Sequence, residues 1–137
     1  MKDINCIFIV EDSEVDTWIA LKVLEFAKIS KTVISANESK DAIFKLKSFS
    51  EKEHSLPEII LVDLSLPLVD GCELISRIKK LPHFDPRHTQ LILITEDLDD
   101  DVDLIKMQKN DVRYVIFKPL NKEKLEEAMA LFEKENH

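Results

Sequence analysis

Short apolar runs alternate with longer amphipathic stretches along this chain. The runs fall at Ile4–Val10, Thr32–Ala36, Ile59–Val62, Leu91–Ile94 and Tyr114–Phe117. Each is rich in Ile and Val with little polar alternation, the pattern of strands buried on both faces of a parallel sheet. Between them lie helical periodicities. Val15, Trp18, Ile19 and Phe26 share one face and predict the inner side of a first helix, which opens on Ser13-Glu14-Val15-Asp16 in the manner of a capping box. Ala42, Leu46 and Phe49 mark a second helix, and Leu74, Ile78 and Leu81 a third. A fourth, around Asp99 to Lys109, is less regular, with Leu98, Val102 and Ile105 as inner candidates. The last places Leu125, Ala128, Met129 and Phe132 on one stripe, with Lys and Glu elsewhere.

Strands alternating with helices predict an α/β fold, a doubly wound five-stranded parallel sheet flanked by five helices. The stretches Ser50–Pro57 and Pro82–Gln90 read as polar surface loops. The length of 137 residues suits one domain, so residues 1–137 are expected to form a single unit with no room for an output domain.

Composition narrows the function. The formal charge is -8 and no Lys/Arg cluster appears, which argues against nucleic acid as a partner. No apolar run approaches the roughly 20 residues of a membrane span, and the start of the chain lacks a signal-type apolar segment. A soluble cytoplasmic protein with no membrane partner is expected. Cys6 and Cys72 lie far apart and outside any C-x-x-C, as buried or half-buried thiols of a reducing compartment would. His83 and His88 have no nearby Cys to complete a zinc site.

The chemistry gathers where the predicted strands end. The first run ends in Glu11-Asp12, the third in Asp63, the fourth in Thr95 and the fifth in Lys118-Pro119. In a parallel sheet these ends share one edge, where such folds bind ligands. Alone, each residue reads as a turn, cap or solvated charge; five of them on one edge do not. Three carboxylates so close repel one another and invite a hard divalent cation, Mg²⁺ above all, which takes one or two carboxylates, several waters and a phosphoryl oxygen. A carboxylate beside that ion is a usable nucleophile toward phosphorus. A lysine and a hydroxyl can stabilise the charge spreading over the transferred group. The set is suited to phosphoryl transfer onto Asp63.

The string Asp63-Leu-Ser-Leu-Pro-Leu-Val-Asp-Gly71, with Pro67 and the chain's single glycine at those spacings, resembles the phosphoacceptor segment of response-regulator receiver domains, the CheY-like family. Glu11-Asp12 is similar to that family's paired acids, Thr95 to its hydroxyl and Lys118-Pro119 to its Lys-Pro pair, and the resemblance runs from about Ile4 to Phe132. It implies a flavodoxin-like fold and a stand-alone response regulator of a two-component phosphorelay. Asp63 would take a phosphoryl group from a histidine kinase or phosphotransfer protein. Asp12 would ligate Mg²⁺ directly and Glu11 largely through water, with the backbone carbonyl of Ser65 and Asp63 completing the metal set. Lys118 would hold a phosphoryl oxygen and Thr95 would report the modification. Such a protein catalyses only its own phosphorylation and dephosphorylation and signals to a downstream protein or by homodimerisation, around Met107, Val115 and Lys122. The short chain also resembles the small receivers that partner phytochrome-type kinases.

Two positions depart from the pattern. The family usually places an aromatic residue three positions before the lysine; here Val115 stands there and Tyr114 one place earlier. A one-residue offset on a strand turns a side chain to the other face, so the output change is expected to rest on Thr95 and the loop after it. Glu96 stands where the family usually has a small residue, and is expected to slow phosphorylation by small donors. Six of the eight residues from Glu96 to Asp103 are acidic, which suits a helix N-terminus; a calcium loop fails, because Val102 and Gln108 occupy its Gly and Glu places.

Three rivals remain. A phosphorylation-independent receiver-like interaction module would keep the fold alone. An aspartyl-phosphate phosphatase needs an acid where Ser65 stands. A flavin carrier needs phosphate loops that one glycine cannot build.

Overall fold

A computed structural model of the protein describes residues 4–63, 68–96, 107–109 and 111–136. Its strands are β1 (Ile4–Glu11), β2 (Ser30–Ala36), β3 (Ile59–Asp63), β4 (Gln90–Thr95) and β5 (Tyr114–Phe117). The helices described in full are α1 (Glu14–Ala27), α2 (Ser39–Glu53), α3 (Leu68–Lys79) and α4 (Lys122–Glu135), and Met107–Lys109 are also helical. The inner candidates Leu98, Val102 and Ile105, and the acidic run from Asp97 to Asp103, lie outside the described residues.

The five strands form one parallel sheet in the order β2-β1-β3-β4-β5. This is the doubly wound topology the strand pattern predicts. Strand alternation splits the core in two. Phe8, Val10, Ile60, Val62, Leu91 and Leu93 pack with α2 and α3. Ile7, Ile9, Leu61, Ile92, Ile94 and Ile116 pack with α1 and α4. β2 lies at an edge, so it is only half-buried where a central strand such as β3 is fully buried.

Gly71 sits inside α3, where a Cβ would come within 2.9 Å of Leu93 Cδ1. The chain's one glycine therefore permits close approach of α3 to β4. Both cysteines are buried, and burial pushes the Cys6 thiol pKa up.

Three readings need correction. The predicted inner face of α1 points outward: Val15 is 68 %, Trp18 62 %, Ile19 49 % and Phe26 90 % exposed, while Ala20 and Leu24 face the core. The small Ala20 lets α1 lie close to the sheet, while the larger residues stand on the exposed face of the helix. Ser50–Pro57 is not a surface loop throughout, because α2 continues to Glu53 and Ser50, Leu56 and Pro57 are buried. A positive-φ residue, His54, ends that helix and turns the chain inward. In Pro82–Gln90 the final residues Thr89 and Gln90 are buried too, since Gln90 already belongs to β4.

Candidate functional site

Glu11 and Asp63 are the last residues of β1 and β3 and are register partners across the central strand pair. In a parallel ladder such partners point to the same face, here the α1 side shared by Ile9 and Leu61. Both are almost fully buried, Glu11 at 1 % and Asp63 at 7 % exposure. Lys118 follows β5, and its ammonium lies 3.0 Å from Asp63 Oδ1. That contact is an ion pair whose direction leaves Oδ1 without a formed hydrogen bond.

Glu11 is held by the start of α1. Its Oε1 accepts the Ser13 N–H at 3.1 Å, while Ser13 Oγ caps the helix by accepting the Asp16 N–H at 3.3 Å. The start predicted from Ser13 to Asp16 is thus a true N-cap, but the reciprocal bond comes from Glu11 rather than from Asp16. Glu11 Oε2 is buried with no hydrogen-bond partner. Burial, then the neighbouring Asp63, raise the Glu11 pKa to about 9, with Asp12 adding to the effect. For Lys118, burial works to lower the pKa. The carboxylates of Asp63, Glu11 and Asp16 outweigh it and hold the ammonium above the usual lysine value.

Two buried carboxyl groups side by side, one with an orphaned oxygen, cannot both stay ionised without a cation, which is why Glu11 keeps its proton to high pH. The donors are all hard oxygen atoms, which fits a cation of the Mg²⁺ kind. Asp12, half-buried just beyond β1, is the third acid. Among the described residues no three His, Cys, Asp or Glu side chains are grouped tightly enough to hold a metal. The fit therefore rests on Glu11 and Asp63, with the Asp12 carboxyl beside Glu11. Ser65, expected to lend its carbonyl, and Pro67 lie outside the described residues.

Thr95 ends β4 next to Lys118. It continues the alternation of Leu91 and Leu93, so its side chain belongs to the α2 and α3 side of the sheet. Its backbone carbonyl instead accepts the Lys118 N–H at 2.8 Å. The cleft over Asp63 and Lys118 is lined by Asp16, Ile19, Glu96 and Pro119 among others. Asp16 and Ile19 were read from sequence only as cap and core. Asp16 stands one helical turn after Asp12, and that spacing was the available sign.

Tyr114 lies on the opposite face from Val115, as the offset predicted. It packs in the α1 and α4 core, donates its hydroxyl to Glu135 at 2.6 Å and meets Phe132 edge to face. Val115 packs on the other side. Met107 is buried, so it offers no surface for output.

A family model described as the response regulator receiver domain matches residues 7–130. The chain belongs to this family. Response regulators of this kind act in two-component signalling, and receiver domains generally bind Mg²⁺ at an acidic pocket. The response regulator Rcp1 of Synechocystis sp. is 35% identical over 97 residues, covering 70% of this chain and 65% of its own. The bacteriophytochrome response regulator AtBRR aligns with a TM-score of 0.73 at 26% identity, over 94% of this chain and 92% of its own. A two-component response regulator from Cytophaga hutchinsonii aligns with a TM-score of 0.76 at 23% identity, over 97% and 99%. These structures share the fold of this chain. No helix among the described residues is long and apolar enough to cross a membrane.

Proposed function

We propose that this receiver works as a single domain over residues 1–137 in the cytoplasm, accepting a phosphoryl group on Asp63 from a histidine kinase or phosphotransfer protein. The observation that carries the reading is the meeting of Asp63 Oδ1 with the Lys118 ammonium at 3.0 Å, beside the orphaned Glu11 carboxylate. Glu11, Asp12 and Asp63 would hold Mg²⁺, with Ser65 supplying a carbonyl; when bound, the ion neutralises the acids and the phosphoryl oxygens.

The chain's own residues do the rest. An Asp63 carboxylate oxygen attacks phosphorus in line with the leaving group. Lys118 is already in place to meet the charge that spreads over the phosphoryl oxygens. The Thr95 hydroxyl has to leave the face of Leu93 to reach one of those oxygens. That turn makes the end of β4 the moving part of the switch. Phosphorylation adds about -1.5 to -2 charges and shifts the protein toward the state in which Thr95 is turned in.

The exposed Val15, Trp18 and Ile19 of α1 support a protein donor, because Ile19 lines the cleft as well as the outer face. A donor helix laid on that stripe brings its phosphohistidine over Asp63. Phe117 on β5 and Leu131 on α4, at 43 % and 47 % exposure, offer an apolar output surface for a second copy or a target protein.

A phosphorylation-independent interaction module is the second reading, favoured by Thr95 facing away and by Glu96 at the cleft. Phosphoryl transfer to the wild type and to Asp63→Asn, followed by intact mass and gel filtration, separates the two. One added phosphoryl group on the wild type and none on the variant is expected. Equal labelling of both, or none of either by any kinase or acyl phosphate with Mg²⁺, sinks the proposal.

A further inference from the structure

The cleft over Asp63 carries more negative charge than phosphoryl transfer requires. Its ionisable lining is Asp16, Asp63, Glu96 and Lys118. Lys118 is committed to Asp63 at 3.0 Å, so its charge is answered within the site. Asp16 and Glu96 remain, one from the first turn of α1 and one just past β4, on two elements that border the opening. Glu96 is exposed and Asp16 half-buried, and neither makes a salt bridge among the described residues. Among the described residues no cation lining the cleft offsets them apart from Lys118.

We propose that Glu96 and Asp16 form a charge filter that selects the phosphoryl donor for Asp63, admitting phosphohistidine presented by a docked protein and disfavouring free dianionic acyl phosphates. The inference rests on Asp63 being the phosphoacceptor. In either reaction an Asp63 oxygen forms a new bond to phosphorus. With an acyl phosphate the bond from phosphorus to the acyl oxygen breaks, and its electron pair leaves on the carboxylate. With phosphohistidine the P–N bond breaks, and the imidazole nitrogen keeps the pair and takes a proton from water. The chemistry of transfer is open to both donors. The difference lies in approach. A small donor must enter against the two carboxylates unaided, whereas a protein donor is carried in by the contacts it makes on the Val15, Trp18 and Ile19 face.

The effect has a predictable dependence on donor charge. One carboxylate about 7 Å from the approaching phosphorus, in a water-like medium, slows a monoanion about threefold and a dianion about sevenfold to tenfold. Screening by salt shortens its reach.

The test follows Asp63 labelling by intact mass at pH 7 with Mg²⁺, using acetyl phosphate as the dianionic donor and phosphoramidate as the monoanionic one. The chains are wild type, Glu96→Gln, Asp16→Asn, the double variant and Asp63→Asn. Glu96→Gln should raise the acetyl phosphate rate by about sevenfold to tenfold and the phosphoramidate rate by about threefold, with both gains shrinking as salt is added. Asp16→Asn should act in the same direction, and circular dichroism of that variant checks that α1 has kept its cap. Equal acceleration of both donors, or none, overturns the filter while loss of labelling in Asp63→Asn leaves the phosphoacceptor standing. Labelling that persists in Asp63→Asn overturns the phosphoacceptor and the filter together.

Discussion

Helices α1 and α4 lie on the same side of the sheet and share one core with Ile7, Leu61 and Ile94. Each has 14 residues and an apolar stripe legible in its sequence. The stripe of α4 does what such stripes usually do: Leu125 and Met129 are buried, and Ala128 and Phe132 pack beside them. The stripe of α1 does the reverse. It buries Ala20 and Leu24 and leaves Val15, Trp18, Ile19 and Phe26 in solvent. Polar contacts repeat the contrast. α4 is tied to β5 and the residue before it by Tyr114 to Glu135, by Arg113 to Glu135 at 2.9 Å and by Lys124 to the Phe117 carbonyl at 2.7 Å. Trp18 meets only its helix neighbour Lys22 among described cations, the ammonium 5.7 Å from the ring on the same exposed face. One helix spends its apolar residues on the fold, and the other keeps them beside the phosphoacceptor cleft.

The largest expected effect falls on the α4 side. Leu125 is 1 % exposed in the shared core, and Leu125→Ala should lower stability by about 2–5 kcal/mol, read as a shift of the urea midpoint. A loss below 1 kcal/mol would mean that α4 is less firmly packed than its burial implies and would weaken the contrast.

Trp18→Ala should behave in the opposite way. Its ring is mostly in water, so the stability change should stay within about 0.5 kcal/mol. Transfer from a histidine kinase that phosphorylates the wild type should slow about tenfold, the loss typical of an aromatic interface anchor, while transfer from acetyl phosphate should not change. A large stability loss without a kinase effect would turn Trp18 back into a core residue.

The same contrast explains what the sequence could show. Strand positions, their order along the chain and the acids at their ends were legible because a central parallel strand is buried on both faces and leaves an unbroken apolar run. The stripe of α4 was legible because it serves the fold. The stripe of α1 has the same periodicity, and periodicity reports which residues share a face without saying whether that face meets the core or solvent. Ala20 and Leu24, the residues that do meet the core, are smaller or fewer than their exposed neighbours. At the site, Glu11, Asp63 and Lys118 could be placed together because they stand at the ends of strands along one edge of the sheet. Thr95 ends a strand too, but the alternation after Leu93 sends it to the other face. The face its side chain starts from turns on the parity of one residue, which a list of strand ends does not contain. Glu96 and Asp16 enter the cleft from loop and helix, where sequence spacing carries little information about approach.

The smallest effect tests how α4 is tied down. Tyr114 is the chain's only tyrosine, so its ionisation can be followed by phenolate absorbance without overlap from another. Burial, then the hydrogen bond to Glu135 and that group's negative charge, raise its pKa to about 12, against a smaller opposing effect from Arg113. A raised value means that the folded protein holds the proton to higher pH than the unfolded chain does. The contribution of this contact is therefore complete below about pH 10 and is lost as pH rises through about 12. Tyr114→Phe should cost about 1 kcal/mol at neutral pH, the usual worth of such a bond, and should flatten the decline in melting temperature between pH 10 and 12 relative to wild type. Comparing the two proteins at each pH removes the common effect of titrating lysines. A phenolate midpoint near 10 would mean that Tyr114 is in water, and the polar ties of α4 would then be reduced to those of Arg113 and Lys124.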